Sequence, residues 1–403
     1  MSRAAGGPAV ARSTVACLGL LQLTCWGLSY YLIGAFGESM VADLGWRPAL
    51  VYGGFSVSLV VMGLVSAPVG RLIERHGGRP VMAAGSLLTA AGCAGLALAA
   101  SPAAYLAAWV VLGVAMRATL YDAAFAALAR IGGPGARRAM SQITLLGGLA
   151  STAFWPLGRV LIDSFGWRGA LLVYAAIALL TLPLHLAIPR GRFVHAPPPG
   201  PARTVDPDTG RPGHAVSAVL YAAVVTLVAF LNSAMSAHMI GLLGGLGVSA
   251  ATAVWVASLR GVGQSSARLG EALFGRRLDP LLLNLLASML LPVGFVVGLS
   301  SGIWLAAALA FALLYGAGNG LTTITRGTLP LVLFDPRTYG SVVGRLLVPS
   351  FFLSASAPFA YALIIERFGD AAALQLSIAV AVAVFAVSAL LWQLRRGQAG
   401  AAS

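Results

Sequence analysis

The chain has 403 residues, of which 59% are hydrophobic and only 9% charged, and its 26 basic against 12 acidic residues give a formal net charge of +14. A water-soluble domain of this size could not carry so apolar a composition without aggregating, so a soluble fold is excluded and the protein is expected to lie in lipid. The three cysteines, Cys17, Cys25 and Cys93, stand singly inside apolar runs, so neither a disulfide framework nor a metal site is predicted, and no cofactor is expected.

Long apolar runs recur along the whole chain. A helix rises about 1.5 Å per residue and the hydrocarbon layer is about 30 Å thick, so roughly 20 apolar residues can cross a bilayer. The first run follows Arg3 and Arg12 and is longer than the core of a cleavable signal, so we expect it to be retained. The predicted class is an all-α membrane protein of twelve transmembrane helices, at 13–36, 49–69, 81–100, 104–129, 141–162, 170–188, 216–239, 251–273, 281–299, 302–329, 341–365 and 371–394.

Arginine, which supplies every basic residue, is distributed unevenly between the two sides of this predicted topology. One side would hold 17 of the 26 arginines, six lie inside helices, and the other side holds only Arg47, Arg168 and Arg367. Arginine-rich loops stay in the cytoplasm, so both termini are predicted to be cytoplasmic. We therefore expect a multi-pass protein of a bacterial-type inner membrane that contacts the lipid bilayer, and the charge requires no nucleic-acid partner.

The longest hydrophilic gap, residues 189–215, contains 7 of the 21 prolines. A polar sequence rich in proline cannot bury a core and is typical of an extended linker. The chain is therefore predicted to consist of an N-terminal six-helix bundle over residues 1–188, a cytoplasmic linker and a C-terminal six-helix bundle over residues 216–403.

The two halves resemble each other when the sequence is shifted by 203 positions. In this register Gly166 meets Gly369 and Asp163 meets Glu366. Chance similarity between apolar segments is the alternative interpretation. A parallel duplication of six-helix halves predicts a solute site between the halves, near the membrane midplane.

A short motif follows the second predicted helix, where residues 70–79 read Gly-Arg-Leu-Ile-Glu-Arg-His-Gly-Gly-Arg. It resembles the signature loop of the major facilitator superfamily, although Glu74 stands where aspartate is usual and Gly78 is an additional glycine. The resemblance implies two pseudo-symmetric six-helix bundles and transport of a small solute by alternating access. Glu74, Arg75 and Arg79 are predicted to pair with helix ends or charges in one conformation and to release them in another. Ordinary cytoplasmic arginines are the alternative interpretation.

Two further likenesses bear on the solute. Gly45-Trp46-Arg47 resembles the oxalate/formate and monocarboxylate transporters. Residues 120–125 and 151–156 are similar to segments of bacterial arsenical-efflux permeases. A trap of three cysteines is not expected in this chain, because Cys17 and Cys25 would lie about 12 Å apart along one helix.

Four charged residues fall deep inside predicted helices. Such a group costs about 2.5–3.5 kcal/mol on insertion and normally faces a partner or a wet cavity. Arg117 and Arg260 lie near the centres of the fourth and eighth predicted helices and are predicted to attract an anionic substrate. Asp122 lies five residues after Arg117, and because an ideal helix turns by about 140° over that distance, the two are not expected to pair.

The repeat places Asp122 and Arg326 at similar depth on the fourth and tenth helices, which in this superfamily line the central cavity together with the first and seventh. We expect an ion pair or a switch between them, with Asp122 as a proton carrier, because a carboxylate in a low dielectric takes up a proton more readily. Two interfacial residues that cap long helix ends are the alternative. Trp26 and Tyr30, one turn apart on the first helix, are predicted to contact an apolar part of the substrate, with ordinary helix packing as the alternative.

These observations predict a secondary transporter that carries a small organic or inorganic anion, coupled to protons or by exchange, with the monomer as the functional unit. The second hypothesis is an efflux permease for drug-like or arsenical compounds. A membrane-embedded enzyme is not expected, because the sequence has no HExxH motif, no GxSxG motif and no paired carboxylates inside the helices.

Overall fold

The computed structural model describes residues 10–133, 136–191, 212–274, 278–334 and 346–400, and every regular element within them is helical. The predicted all-α class is confirmed. The chain divides into two compact units, Met1–Pro198 and Pro199–Ser403. Most of the predicted linker lies outside the described residues, as do several of the predicted cytoplasmic arginines, among them Arg3, Arg203 and Arg337.

The N-terminal unit contains α1 (Arg12–Cys25), a π-helical turn (Trp26–Tyr30), α2 (Leu32–Leu44), α3 (Pro48–Leu64), α4 (Ser66–His76), α5 (Gly78–Leu98), α6 (Pro102–Thr119), α7 (Tyr121–Gly132), α8 (Ala136–Gly148) and α9 (Ala150–Leu186). The C-terminal unit contains α10 (Pro212–Gly245), α11 (Ala250–Phe274), α12 (Pro280–Gly298), α13 (Leu305–Leu333) and α14 (Val348–Gly400).

Among the described residues, eight helical segments are long and apolar enough to cross a membrane, and the pair α3 and α4, bent by 51°, makes a ninth. Two of the eight, 138–186 and 348–396, are 49 residues long and contain a backbone break, so each has the length of two crossings. Helix α11 has 25 residues but carries Arg260 and Arg268, which lower its apolar character. These features are consistent with twelve crossings, and the number itself stays a prediction.

Two glycines produce the breaks in the longest helices. Gly166 in α9 has φ 67° and ψ 167°, and Gly369 in α14 has φ 81° and ψ 173°. A side chain would strain this left-handed region of the backbone, whereas glycine adopts it readily. The shift of 203 positions pairs these two glycines, so the residues matched by the repeat have the same backbone conformation and the same structural role.

Several predicted helices are not continuous. The predicted helix at 104–129 is interrupted at Leu120, whose φ of −78° and ψ of −171° end α6 and begin α7.

The prediction of a loop at 70–79 is wrong in its first part. Helix α4 continues to His76, and the chain turns only at Gly77, where φ is 87°. Val69 and Ile73, one turn apart, are buried and hold α4 against the N-terminal unit.

In the C-terminal unit, α11 and α13 meet backbone to backbone. A Cβ at Gly316 would overlap the carbonyl group of Arg260, and a Cβ at Gly263 would overlap that of Leu313. Small residues permit this close approach, which stabilises helix pairs in lipid by van der Waals contact. The contact at Gly316 also fixes the position of the Arg260 backbone.

Gly316→Ala is therefore expected to destabilise the protein by about 1–3 kcal/mol, the usual cost of an overpacked helix contact. Gly327→Ala is the matched control on the same helix, because a Cβ at Gly327 would meet no atom within 4 Å. Thermal unfolding of the two purified variants in detergent measures the difference. Equal transition temperatures would show that α11 and α13 do not depend on this contact.

Candidate functional site

The C-terminal unit buries one arginine completely. Arg260 on α11 is 0% exposed. Its Nη1 donates to Ser236 Oγ at 3.0 Å and its Nη2 to Asn232 Oδ1 at 2.5 Å, while the guanidinium carbon lies 5.1 Å from the centre of the Tyr315 ring. Both acceptors are neutral, so neither of them cancels the positive charge.

Asn232 connects this charge to a more accessible position. Asn232 and Ser236 lie one turn apart on α10 and therefore share a face. Asn232 Oδ1 also accepts a hydrogen bond from Asn319 Nδ2 on α13, at 3.1 Å. Because both of these neighbours donate, the amide oxygen of Asn232 faces them and its nitrogen points away. Asn232 is partly exposed, whereas Arg260 is buried.

We call Asn232, Ser236, Arg260, Tyr315 and Asn319 the arginine cluster. Sequence analysis identified Arg260 but missed the other four. The signal that could have found two of them is spacing, since Asn232 and Ser236 stand at positions i and i+4 of a largely apolar helix. The partnership with Asn319, 87 positions away, follows only from the packing of α10 and α13.

In the N-terminal unit, Arg117 Nη1 and Asp122 Oδ2 form an ion pair, with side chains 15% and 53% exposed. The expectation that these residues would not pair is wrong. It assumed one ideal helix, but the non-helical backbone at Leu120 changes the rotation about the helix axis between the two residues and lets their side chains meet. The pairing of Asp122 with Arg326, which would join the two units, stays a prediction.

Aromatic side chains surround the π-helical turn. The Trp26 ring lies 4.8 Å from that of Tyr30 and 4.9 Å from that of Tyr121, and the Tyr31 ring lies 5.6 Å from that of Trp155, as measured between centroids. Single π-helical turns inside α-helices are frequent at functional sites. We call these five residues the aromatic cluster. The structure thus brings the predicted Trp26 and Tyr30 together and adds Tyr121, the neighbour of Asp122 in sequence.

The residues of the signature motif lie at the end of α4. Glu74 and Arg75 are exposed and Arg79 is partly exposed. Arg130 on α7 donates to the carbonyl oxygens of Ile73, at 3.2 Å, and of Glu74. An arginine there satisfies carbonyl groups that the helix end leaves without partners and complements the negative end of the helix dipole. Arg130 therefore fixes the orientation of the motif, a role that sequence analysis did not assign.

Arg326 on α13, the other predicted gating residue, is partly exposed. Its backbone carbonyl accepts a hydrogen bond from the Tyr221 hydroxyl at 2.7 Å, which ties this part of α13 to α10. This contact involves the backbone, so the role of the guanidinium stays a prediction. No group of three or more His, Cys, Asp or Glu side chains that could hold a metal ion occurs in the described part of the chain.

The long apolar helices define a polytopic membrane protein. The sequence model of the Major Facilitator Superfamily matches residues 18–348, and the chain belongs to this superfamily. No curated protein sequence matches the chain significantly.

Three solved structures of transporters have folds similar to that of this chain. The crystal structure of the nucleoside transporter NupG has a TM-score of 0.72 and 14% identity, covering 94% of this chain and 98% of that one. A bacterial homologue of the human lysosomal transporter Spinster, inward-facing and occupied, has a TM-score of 0.63 and 16% identity, covering 94% and 95%. Its inward-facing, unoccupied structure has a TM-score of 0.67 and 15% identity, covering 95% and 96%.

Family membership establishes the general activity. The protein is a multi-pass membrane protein and a secondary transporter that moves a small molecule by alternating access, rather than an enzyme. The resemblance inferred from residues 70–79 is confirmed. The likenesses to monocarboxylate and arsenical transporters stay predictions.

Proposed function

We propose that the protein carries a small organic or inorganic anion, coupled to protons or by exchange with a second anion. The observation that carries this proposal is the positive charge of Arg260, whose side chain is fully buried and donates hydrogen bonds to Ser236 and Asn232. An arginine inside a membrane helix is costly to bury and normally faces a partner or a solute pathway. Its positive charge would attract an anionic solute close to Asn232.

The geometry of Asn232 favours an anion further. Arg260 and Asn319 both donate to its carbonyl oxygen, and hydrogen bonds in a chain polarise one another. The amide hydrogens of Asn232 therefore become stronger donors toward a carboxylate or oxyanion. In this arrangement Asn232 touches the solute, while Arg260 acts behind it as the fixed positive charge.

Topology and regulation belong to the same proposal. The arginine distribution supports a bacterial-type inner membrane, cytoplasmic termini and a cytoplasmic linker between the two bundles. The signature motif supports gating by Glu74, Arg75 and Arg79, with α4 held by Arg130. Asp122 is the proposed carrier of the coupling proton, and a monomer is the proposed functional unit.

Efflux of drug-like or arsenical compounds is the second candidate, and the aromatic cluster favours the drug-like class. Aromatic side chains offer large apolar faces to such compounds. The cysteines do not favour a thiol trap for arsenic: Cys17 Sγ donates to the Leu184 carbonyl and Cys93 Sγ to the Leu28 carbonyl, so they serve different helix contacts.

Counterflow in proteoliposomes separates the two candidates. Vesicles preloaded with unlabelled compound are mixed with labelled acetate, lactate, oxalate, benzoate, phosphate, arsenite or ethidium. We expect accumulation of at least one anion above protein-free vesicles. Accumulation of ethidium or uncharged arsenite alone would overturn the anion proposal and favour efflux.

A further inference from the structure

Two buried polar atoms, one on α1 and one on the π-helical turn that follows it, have no hydrogen-bond partner among the described residues. Gln22 on α1 is 0% exposed, and its Oε1 has no hydrogen-bond donor among the described residues. Trp26, one turn later, has a buried Nε1 with no acceptor within the same described part of the chain. Leaving a buried polar group without a hydrogen-bond partner is costly, so such groups are rare unless a ligand or water completes them.

The orientation of Gln22 is fixed by the helix break. The backbone N–H groups of Ala123 and Ala124 donate to the Leu120 carbonyl, which leaves the carbonyl of Thr119 to accept a hydrogen bond from Gln22 Nε2 at 2.9 Å. A carbonyl can only accept, so the amide nitrogen must face it and the amide oxygen must point elsewhere. Exchanging the positions of the amide nitrogen and oxygen would therefore lose the hydrogen bond to Thr119, so the missing partner of Oε1 does not result from a wrongly oriented amide.

Tyr121 lies beside both orphaned side chains. Its ring centre is 4.9 Å from that of Trp26. Its hydroxyl group and Gln22 Cβ both flank Gly147, where an added Cβ would lie 3.1 Å from Gln22 Cβ and overlap the hydroxyl. Gln22 and Trp26, which carry the orphaned acceptor and the orphaned donor, therefore both adjoin Tyr121, and the side chains of Trp26 and Tyr121 are partly exposed.

Trp109 shows that an orphaned indole alone does not make such a site. Its Nε1 also lacks a well-aligned acceptor among the residues that the structure describes, although the Tyr105 hydroxyl lies close to it. Trp109 is 0% exposed, however, and its pyrrole edge packs directly against Gly54, which leaves no room for even a methyl group. No orphaned acceptor stands one turn from Trp109.

We infer that Gln22, Trp26 and Tyr121 form a subsite for a flat ring that carries a hydrogen-bond donor and an acceptor on its edge. The ring face would contact the two aromatic side chains, its donor would meet Gln22 Oε1, and its acceptor would meet Trp26 Nε1. The inference deepens the proposed transport function, because it specifies an aromatic or heteroaromatic solute with an amide-like or hydroxyl-bearing edge.

Saturation-transfer NMR titrations of the protein in nanodiscs test this subsite with three uncharged probes, benzamide, acetamide and toluene. Benzamide has both the ring and the amide, and each other probe has one of them. We expect benzamide to bind at least fivefold more tightly than either. Trp26→Phe keeps a ring but removes the N–H, and Gln22→Met removes the acceptor; each should weaken benzamide binding about fivefold. Trp109→Phe, the matched control, should leave binding unchanged.

Equal binding of the three probes would overturn the subsite, as would equal effects of Trp26→Phe and Trp109→Phe; water would then complete the orphaned atoms. Because the probes carry no charge, the result does not depend on anion transport. Benzamide binding that requires Gln22 and Trp26, together with absent anion counterflow, would leave the subsite standing and reject the anion proposal. Anion counterflow with no preference for benzamide would support the anion proposal and reject the subsite.

Discussion

Asn232→Asp is expected to reduce anion transport about 10-fold to 100-fold while the protein stays at least as stable as the wild type. The new carboxylate would take the position of an oxygen that already accepts hydrogen bonds from Arg260 and Asn319. It would form an ion pair with the guanidinium and cancel the charge that attracts the solute. A hydrogen bond to a charged group contributes about 1.5–3 kcal/mol, which corresponds to that loss in kcat/KM.

Thermal stability distinguishes a loss of transport caused by the neutralised charge from one caused by unfolding of the protein. Asn284 on α12 is 1% exposed, and its amide bonds to the hydroxyl groups of Ser388 and Thr325 at 2.9 Å each. Asn284→Asp would bury a carboxylate among hydroxyl groups, so this variant should unfold at a lower temperature. Asn232→Asp should not, because Arg260 compensates its charge.

The new carboxylate in Asn232→Asp could reduce transport in two ways: by neutralising the charge of Arg260 or by repelling the anionic solute directly. Arg260→Met distinguishes these two causes. Methionine has similar reach but no charge, so we expect it to lose anion counterflow as Asn232→Asp does. Wild-type anion counterflow in Arg260→Met would show that Arg260 does not attract the solute. Anion counterflow at the wild-type rate in Asn232→Asp would show that the solute does not sense this charge at all.

Arg260 could be predicted from the sequence because one residue and its surroundings carry the signal: an arginine in the middle of an apolar run has to be explained. Gly166 and Gly369 could be matched because the same left-handed backbone position requires a glycine in both halves of the chain. For the arginine and for the two glycines, the residue type alone indicates the structural requirement at its position.

Other features depend on contacts that no local pattern reveals. The break at Leu120 has neither glycine nor proline at that position, so the periodicity predicted one continuous helix and separated Arg117 from Asp122. Arg130 was counted only among cytoplasmic arginines, since its acceptors on α4 are more than 50 positions away in sequence. The orphaned oxygen of Gln22 is visible only once its nitrogen is seen to be engaged.

Asp122→Asn is expected to abolish proton movement driven by the solute while counterflow of the same solute persists. Counterflow requires only binding and alternating access, whereas net coupled transport also requires a group that gains and loses a proton. Asparagine keeps the shape of Asp122 and can still accept from Arg117, but it cannot carry a proton. Proton movement is followed with a pH-sensitive dye inside proteoliposomes, and counterflow with labelled solute.

Asp163→Asn is the matched control, because Asp163 Oδ2 forms an ion pair with Arg159 Nε at 2.9 Å in the same unit, on an exposed surface. Each substitution removes one partly exposed pair worth about 1 kcal/mol or less, so neither should unfold the protein. If Asp122 only neutralises Arg117, the double variant Arg117→Gln with Asp122→Asn should restore proton movement. If the double variant still shows counterflow of the solute but no proton movement, and Asp163→Asn shows normal coupling, the proton is assigned to the Asp122 carboxylate. Restoring the charge balance does not replace a titrating group.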